Sequence, residues 1–267
     1  MTTDHTSERA LPASEVFVAL LARDVRVVRR ELGFFLLRTL MQPLLFIFTF
    51  GALLPKMRIL PGAYSTTLLP GVLAISLTLS AVQSVALPMV TAFGYTKEIE
   101  DRLLAPIPTH LIALELVVVG AIQGLIAAAV VLPLGRLIMG PIPGLELNAV
   151  PTLIGVTILG AATFSAIGLW LGTAISGQHV GLMFSFIIAP MLFLGCAYYP
   201  WRGLDAVPVL KYAVLVNPLV YVSEGMRGAI TPSVPHMPVA AVVSALVVLL
   251  AVFWRLGWGT FQRRAVG

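Results

Sequence analysis

The chain has 267 residues, 58% of them hydrophobic and only 11% charged, where a soluble domain carries roughly a quarter of its residues as charged side chains. That composition excludes a water-soluble globular domain and requires a surface facing lipid. The net charge of +5 does not arise from one basic stripe, which argues against a nucleic-acid partner; lysine and arginine gather beside the ends of apolar segments, the placement that sets orientation in a membrane.

From the N-terminus, the first thirty residues carry charge throughout and lack a short apolar run ahead of a small-residue cleavage site, so they do not read as a secretory signal peptide. The first apolar segment is therefore expected to stay in the mature protein. Residues 1–31 form a cytoplasmic segment, and 32–267 form a transmembrane domain. From Ser14 to Leu32, Val16, Phe17, Leu20, Leu21 and Val28 alternate with Glu15, Arg23, Arg26 and Arg30. That pattern makes either an amphipathic helix lying in the membrane interface or a solvated flank enforcing orientation.

A bilayer core of about 30 Å takes roughly 20 apolar helical residues, and six stretches meet that demand: Leu32–Leu54, Thr66–Thr91, Leu111–Ile138, Val150–Ile175, Val180–Tyr198 and Val239–Leu256. No barrel-like alternation appears, so the segments are read as helices. Arg9, Arg23, Arg26, Arg29, Arg30, Lys97, Arg102, Arg255, Arg263 and Arg264 fall on one side, against Lys56, Arg58, Arg136, Arg202, Lys211 and Arg227 on the other. Both termini are thus expected in the cytoplasm. Tyr64, Tyr198, Tyr199 and Trp201 mark outer ends, and Tyr95, Trp254 and Trp258 inner ones.

Within the spans, Ala161, Ser165, Gly168, Gly172 and Ser176 line one helix face and predict close packing. Pro88, Pro133 and Pro190 are candidates for kinks. Cys196, the only cysteine, reads as a packing residue. Ionisable or amide groups in hydrocarbon are costly, so Arg38, Gln42, Gln83, Glu115 and Gln123 are candidates to line a translocation path. Snorkelling of Arg38 to the interface and helix–helix hydrogen bonding by the others are the competing readings. Glu115 has Arg38 or an arginine of the N-terminal segment as a candidate partner.

The connection 95–108 reads YTKEIEDRLLAPIP. A short helix there presents Ile99 and Leu103 together at i and i+4, with Glu98, Asp101 and Arg102 at the edge, a face that a cytoplasmic partner can receive in a groove. Pro106 and Pro108 stop it. In the long outer connection 199–238, Asn217 and Pro218 fit the cap and first position of a helix. In that helix Tyr221 meets Gly225, and Glu224 meets Arg227, on adjacent turns. An ion pair is the structural reading of the last two, and contact with cargo the functional one. Tyr198, Tyr199 and Trp201 either anchor the interface or stack on a sugar.

With QPLLFIFTFG (42–51), LLPGVLA (68–74), YYPW (198–201) and NPLVYVSEGMR (217–227), the chain resembles the membrane subunits of the ABC-2 family of exporters over nearly its whole length. The resemblance implies an all-α, six-span, type V exporter-like fold with an interfacial N-terminal helix and short re-entrant helices before the last span. It implies an outer-gate or structural role for Tyr198, Tyr199, Trp201, Asn217, Pro218, Tyr221, Glu224 and Arg227. It also implies a coupling helix docking on an ATPase, here Lys97, Glu98, Ile99, Glu100, Asp101, Arg102, Leu103, Leu104 and Pro106. The acidic-Gly-Thr core usual in that helix is replaced by EIEDRLL. Lys56, Lys97 and Lys211 follow Pro55, Thr96 and Leu210, so none belongs to a G-x-x-x-x-G-K-[ST] loop, and no cofactor is expected in this chain. ATP and Mg are expected on a cytoplasmic ATPase present in two copies, paired with two copies of this chain. An amphipathic drug, lipid or lipid-linked glycan is the expected cargo. The chain is expected in a bacterial cytoplasmic membrane, and the excess of arginine over lysine fits a GC-rich genome. An ion-coupled transporter or channel is the alternative, but His5, His110, His179 and His236 lie at termini or loop edges and form no relay or metal site. A membrane enzyme would need a nucleophile, base and orienting acid at matching depth, and none assembles.

Overall fold

The computed structural model describes residues 13–61, 64–96, 108–140 and 147–266, and every regular element among them is helical. An 18-residue helix α1 (Ala13–Arg30) precedes α2 (Leu32–Lys56), α3 (Tyr64–Gly94), α4 (Thr109–Met139) and α5 (Val150–Ala174). A shorter apolar helix α6 (Gly177–Phe193), two short helices α7 (Pro208–Ala213) and α8 (Pro218–Ile230), and a long α9 (Val239–Val266) complete the chain. Five of them, α2 to α5 and α9, are long and apolar enough to cross a bilayer.

The stretch expected to be a sixth span, Val180–Tyr198, is cut short. Helix α6 ends at Phe193, Leu194 leaves the helical region, and Cys196 takes a left-handed φ of 52°. Residues 194–200 then run as an irregular strap. Seventeen helical residues span about 26 Å at 1.5 Å each, short of the roughly 30 Å core.

Prolines lie inside the spans without ending them. Pro43 is followed by a π-helical turn at Ile47–Leu53 and Pro88 by another at Ala92–Thr96. Such wide turns are where the backbone absorbs a missing amide.

Helix α3 is the centre of the bundle. Of its most apolar stretch 72% is buried, against 12% for α2 and 11% for α9, so the latter two present apolar faces outward. Exposed Phe34, Leu37, Met41, Leu45 and Phe48 form such a stripe on α2, and Val239, Val243, Val247, Val252 and Leu256 another on α9. Helices α4, α5 and α8 pack around α3, and α9 packs along α5. Small residues permit the approach: a methyl at Gly168 would lie 2.8 Å from the Val82 carbonyl oxygen, and one at Gly172 equally close to that of Ala86. With few apolar–apolar driving forces between helices in lipid, this intimate α3–α5 contact is a main source of cohesion.

Candidate functional site

At the end of the bundle where α3 begins, α8 holds a buried polar clasp. Asn217 caps this helix, its Oδ1 accepting from Leu219 N at 3.0 Å, while its Nδ2 donates to the Met191 carbonyl at 2.7 Å and so ties α8 to the end of α6. Pro218 follows at the first helical position. Asn217→Ala is expected to lower stability by about 1 kcal/mol or more, since a cap and a tertiary bond vanish together; thermal unfolding in detergent measures it.

About two turns further on, Glu224 and Arg227 are both 0% exposed and form an ion pair. Glu224 Oε1 also accepts from Trp201 N at 2.9 Å, and its Oε2 from Met237 N at 3.0 Å. Arg227 Nη2 donates to the Cys196 carbonyl at 2.8 Å. One carboxylate and one guanidinium thus gather three separate pieces of chain: the strap after α6, the turn beginning at Trp201, and the approach to α9. Ser223 adds a fourth bond, donating to the Gly195 carbonyl at 2.6 Å. A charge pair this deep persists only if its remaining lone pairs and protons are engaged, and here all but Arg227 Nε find partners.

The aromatic residues expected at the outer end surround this clasp. Trp201 Nε1 donates to the Lys211 carbonyl at 2.9 Å, and Lys211 Nζ sits 4.4 Å from the centre of the Trp201 ring while pairing with Asp205. Tyr221 Oη donates to the Leu215 carbonyl at 2.7 Å, and Tyr199 Oη to that of Phe193 at 3.3 Å. Tyr64 Oη donates to the Tyr198 carbonyl at 3.2 Å, and the Tyr198 ring stacks at a tilt on Phe46. These side chains brace the backbone around the clasp.

The candidate path residues separate. Gln83 of α3 and Gln123 of α4 both line a cavity shared with Arg23, Asp24 and Glu31. Gln42 is on the exposed face of α2, and Glu115 is fully buried inside α4's contacts. Of Arg38 the structure describes only the backbone, within α2. The coupling residues Lys97, Glu98, Ile99, Glu100, Asp101, Arg102, Leu103, Leu104 and Pro106 lie outside the described residues. Their anchors are described: α3 and α4 deliver both ends of the connection to the end of the bundle that carries α1 and the last turns of α9. There Arg264 of α9 caps α5, donating to the carbonyls of Thr173 at 3.0 Å and Ile175 at 3.3 Å, and Thr260 and Thr173 hydroxyls bond at 2.6 Å.

Two features of the clasp escaped sequence reasoning. The strap's carbonyl at Cys196 is a backbone acceptor and leaves no mark in side-chain identity. Gly71, at the centre of LLPGVLA, seats the strap: a methyl there would fall 1.7 Å from the Ala197 carbonyl oxygen. Glycine about two turns into an apolar span was its available signal.

Among the described residues, a helical bundle with five helices long and apolar enough to cross a bilayer, a short sixth apolar helix and a clasped hairpin before the last of them is the build of a multi-pass membrane protein. The sequence pattern of the ABC-2 type transporter family matches residues 15–231, from α1 to just past α8. The chain belongs to that family. It is 26% identical over 209 residues to the inner membrane transport permease YadH of Escherichia coli K12, an alignment covering 75% of this chain and 76% of that protein. The YadH permeases of Escherichia coli O157:H7 and Shigella flexneri match to the same extent.

Proposed function

We propose that this chain is the membrane-spanning permease subunit of an ATP-binding cassette exporter in a bacterial inner membrane, driven by a separate cytoplasmic ATPase. The observation that carries the reading is the family match from α1 through α8 on a helical bundle whose α3 and α4 bring a charged, proline-stopped connection to the α1 end. Positive-inside counting makes that end cytoplasmic, and with it both termini. The connection 95–108 is then the coupling element, with Ile99 and Leu103 seated in a groove of the ATPase and the charged residues around the rim. Helix α6 serves as the sixth span, locally thinning the bilayer or drawing on its partner to compensate for its length. Two copies give twelve spans, with two ATPases closing on nucleotide and moving both coupling elements together. The sparsely packed α6, with Leu182, Phe186 and Phe193 exposed, is a surface that a second copy covers. An amphipathic drug, lipid or lipid-linked glycan is the cargo class that suits a largely apolar bundle.

Ile99→Asp combined with Leu103→Asp is expected to lower ATP-dependent transport by at least about tenfold, because burying two carboxylates in an apolar groove costs several kcal/mol. The assay is ATPase stimulation and cargo movement in vesicles reconstituted with the ATPase that copurifies. Retained assembly with retained coupled hydrolysis would count against the docking role.

A further inference from the structure

The inner end of α9 carries a face of large side chains. Trp254, Trp258, Phe261 and Ala265 follow at i, i+4, i+7 and i+11 and pack on the apolar cluster around Ile112, Ala113 and Leu169, with Phe261 fully buried. This face reaches both feet of the connection 95–108. The Phe261 ring meets that of Phe93, in the π-helical turn that closes α3, edge-on with centroids 6.0 Å apart. The Trp258 ring meets that of His110, the second residue of α4, edge-on at the same 6.0 Å. Arg264 adds a cation, its Cζ lying 4.9 Å from the centre of the Phe93 ring.

The same guanidinium holds the end of α5. Its Nη1 donates to the carbonyls of Thr173 and Ile175 at 3.0 and 3.3 Å, acceptors of the kind that a helix C-terminus leaves without intrahelical partners. The Thr260 and Thr173 hydroxyls, bonded at 2.6 Å one turn earlier on α9, hold the two helices together beside it. Ile175 and Ser176 are extended, with ψ of 135° and 155°, and α6 starts at Gly177. These two residues form an elbow between α5 and α6. Beyond it only Met183 and Ile188 of α6 are buried, and the far end of α6 is tied through the Met191 carbonyl to Asn217. A helix held mainly at its ends takes its tilt from them, and element-terminal residues of this kind are where hinges form.

We propose that Arg264 is a positioning residue for energy coupling: it joins the foot of the α3–α4 connection to the α5–α6 elbow, so that movement of the connection changes the tilt of α6. The proposal rests on the reading of that connection as the coupling element. A guanidinium suits the task, because its planar fork stacks on a ring while its N–H groups reach carbonyls. Displacing the Phe93 ring then displaces the donor on which the elbow carbonyls rest.

Hydrogen–deuterium exchange of the permease with its copurifying ATPase in lipid nanodiscs, without nucleotide and with MgATP trapped by vanadate, tests this. In the unaltered complex, trapping should change exchange in 97–106 and, with it, exchange in the elbow peptide 174–180 by about threefold or more. Arg264→Ala should leave the response of 97–106 in place and abolish that of the elbow. Arg264→Lys, which keeps the charge and loses the planar fork, should restore part of it. Phe93→Leu, which breaks the other end of the bridge and leaves the α5 cap intact, should weaken the elbow response as well. A residue that merely caps α5 behaves differently: Arg264→Ala would shift elbow exchange equally with and without nucleotide, and Phe93→Leu would change nothing. That pattern overturns the proposal. So does an unaltered complex in which 97–106 responds while the elbow stays still, a result that needs no variant to fold. A complex in which 97–106 itself fails to respond overturns the coupling reading, and the proposal falls with it.

Discussion

Glu224→Gln alone, or Arg227→Met alone, is expected to destabilise the protein by about 3–5 kcal/mol, the largest effect of any single change outside the coupling element. Each variant leaves the other member of a fully buried pair without its counter-charge. Glutamine also retains one carbonyl oxygen where the carboxylate used two, so either Trp201 N or Met237 N loses its acceptor. Because the pair collects the strap, the turn at Trp201 and the entry to α9, the loss is expected to loosen the whole hairpin between α6 and α9. Thermal unfolding in detergent, followed by the monodisperse fraction on size exclusion, reads the effect. The double variant Glu224→Gln with Arg227→Met should cost clearly less than the sum of the two singles, the signature of coupled residues. Singles that melt with the unaltered protein would show that the clasp is ornamental to the fold.

Gly71→Ala is the second large effect. The added methyl would stand 1.7 Å from the Ala197 carbonyl oxygen and 2.3 Å from its carbon. Both are backbone atoms, so no rotamer change relieves the overlap; the strap must lift off α3. The strap has little room to do so. Cys196 already sits at a left-handed φ of 52° with its carbonyl bound to Arg227, and Gly195 is tied to Ser223. An overpacking cost of about 3 kcal/mol is therefore expected, expressed as a lower unfolding temperature and a loss of transport together. Gly155→Ala is the control: nothing lies within 4 Å of that position in the second turn of α5, so the change should be neutral or slightly stabilising through helix propensity.

Hydropathy alone made four of the spans nearly legible end to end, because an apolar run longer than twenty residues has no stable fate in lipid except a helix. Leu32, Val150 and Val239 open their helices in the sequence reading and in the structure alike. The helix of the fifth predicted segment ends at Phe193, five residues before the expected Tyr198, for a specific reason. Leu194, Gly195, Cys196, Ala197 and Tyr198 are as apolar as a span, yet their backbone leaves the helix, and Ala197 lies on Gly71. Apolarity reports burial, and the burial of Gly195, Cys196 and Ala197 is supplied by α3 and α8 instead of lipid. The pairing of Glu224 with Arg227 was visible from the i, i+3 spacing. What it holds was invisible, since three of its partners are backbone groups brought from far along the chain. Likewise Gln83 and Gln123 were chosen for polarity at depth, whereas their sharing of a cavity with Arg23 and Asp24 depends on α1 folding back against α4, a tertiary fact with no local signature. The coupling residues 97–104 and Pro106 rest on sequence and family pattern alone.

In the proposed function, nucleotide energy enters through the connection between α3 and α4. A photo-activated cross-linking residue placed at Asp101, and in a second variant at Asp205 in the turn before α7, tests it in cells that also make the ATPase. Adducts to the ATPase from position 101 and none from 205 are the predicted result. ATPase adducts absent at 101, or equally abundant at 205, would contradict it.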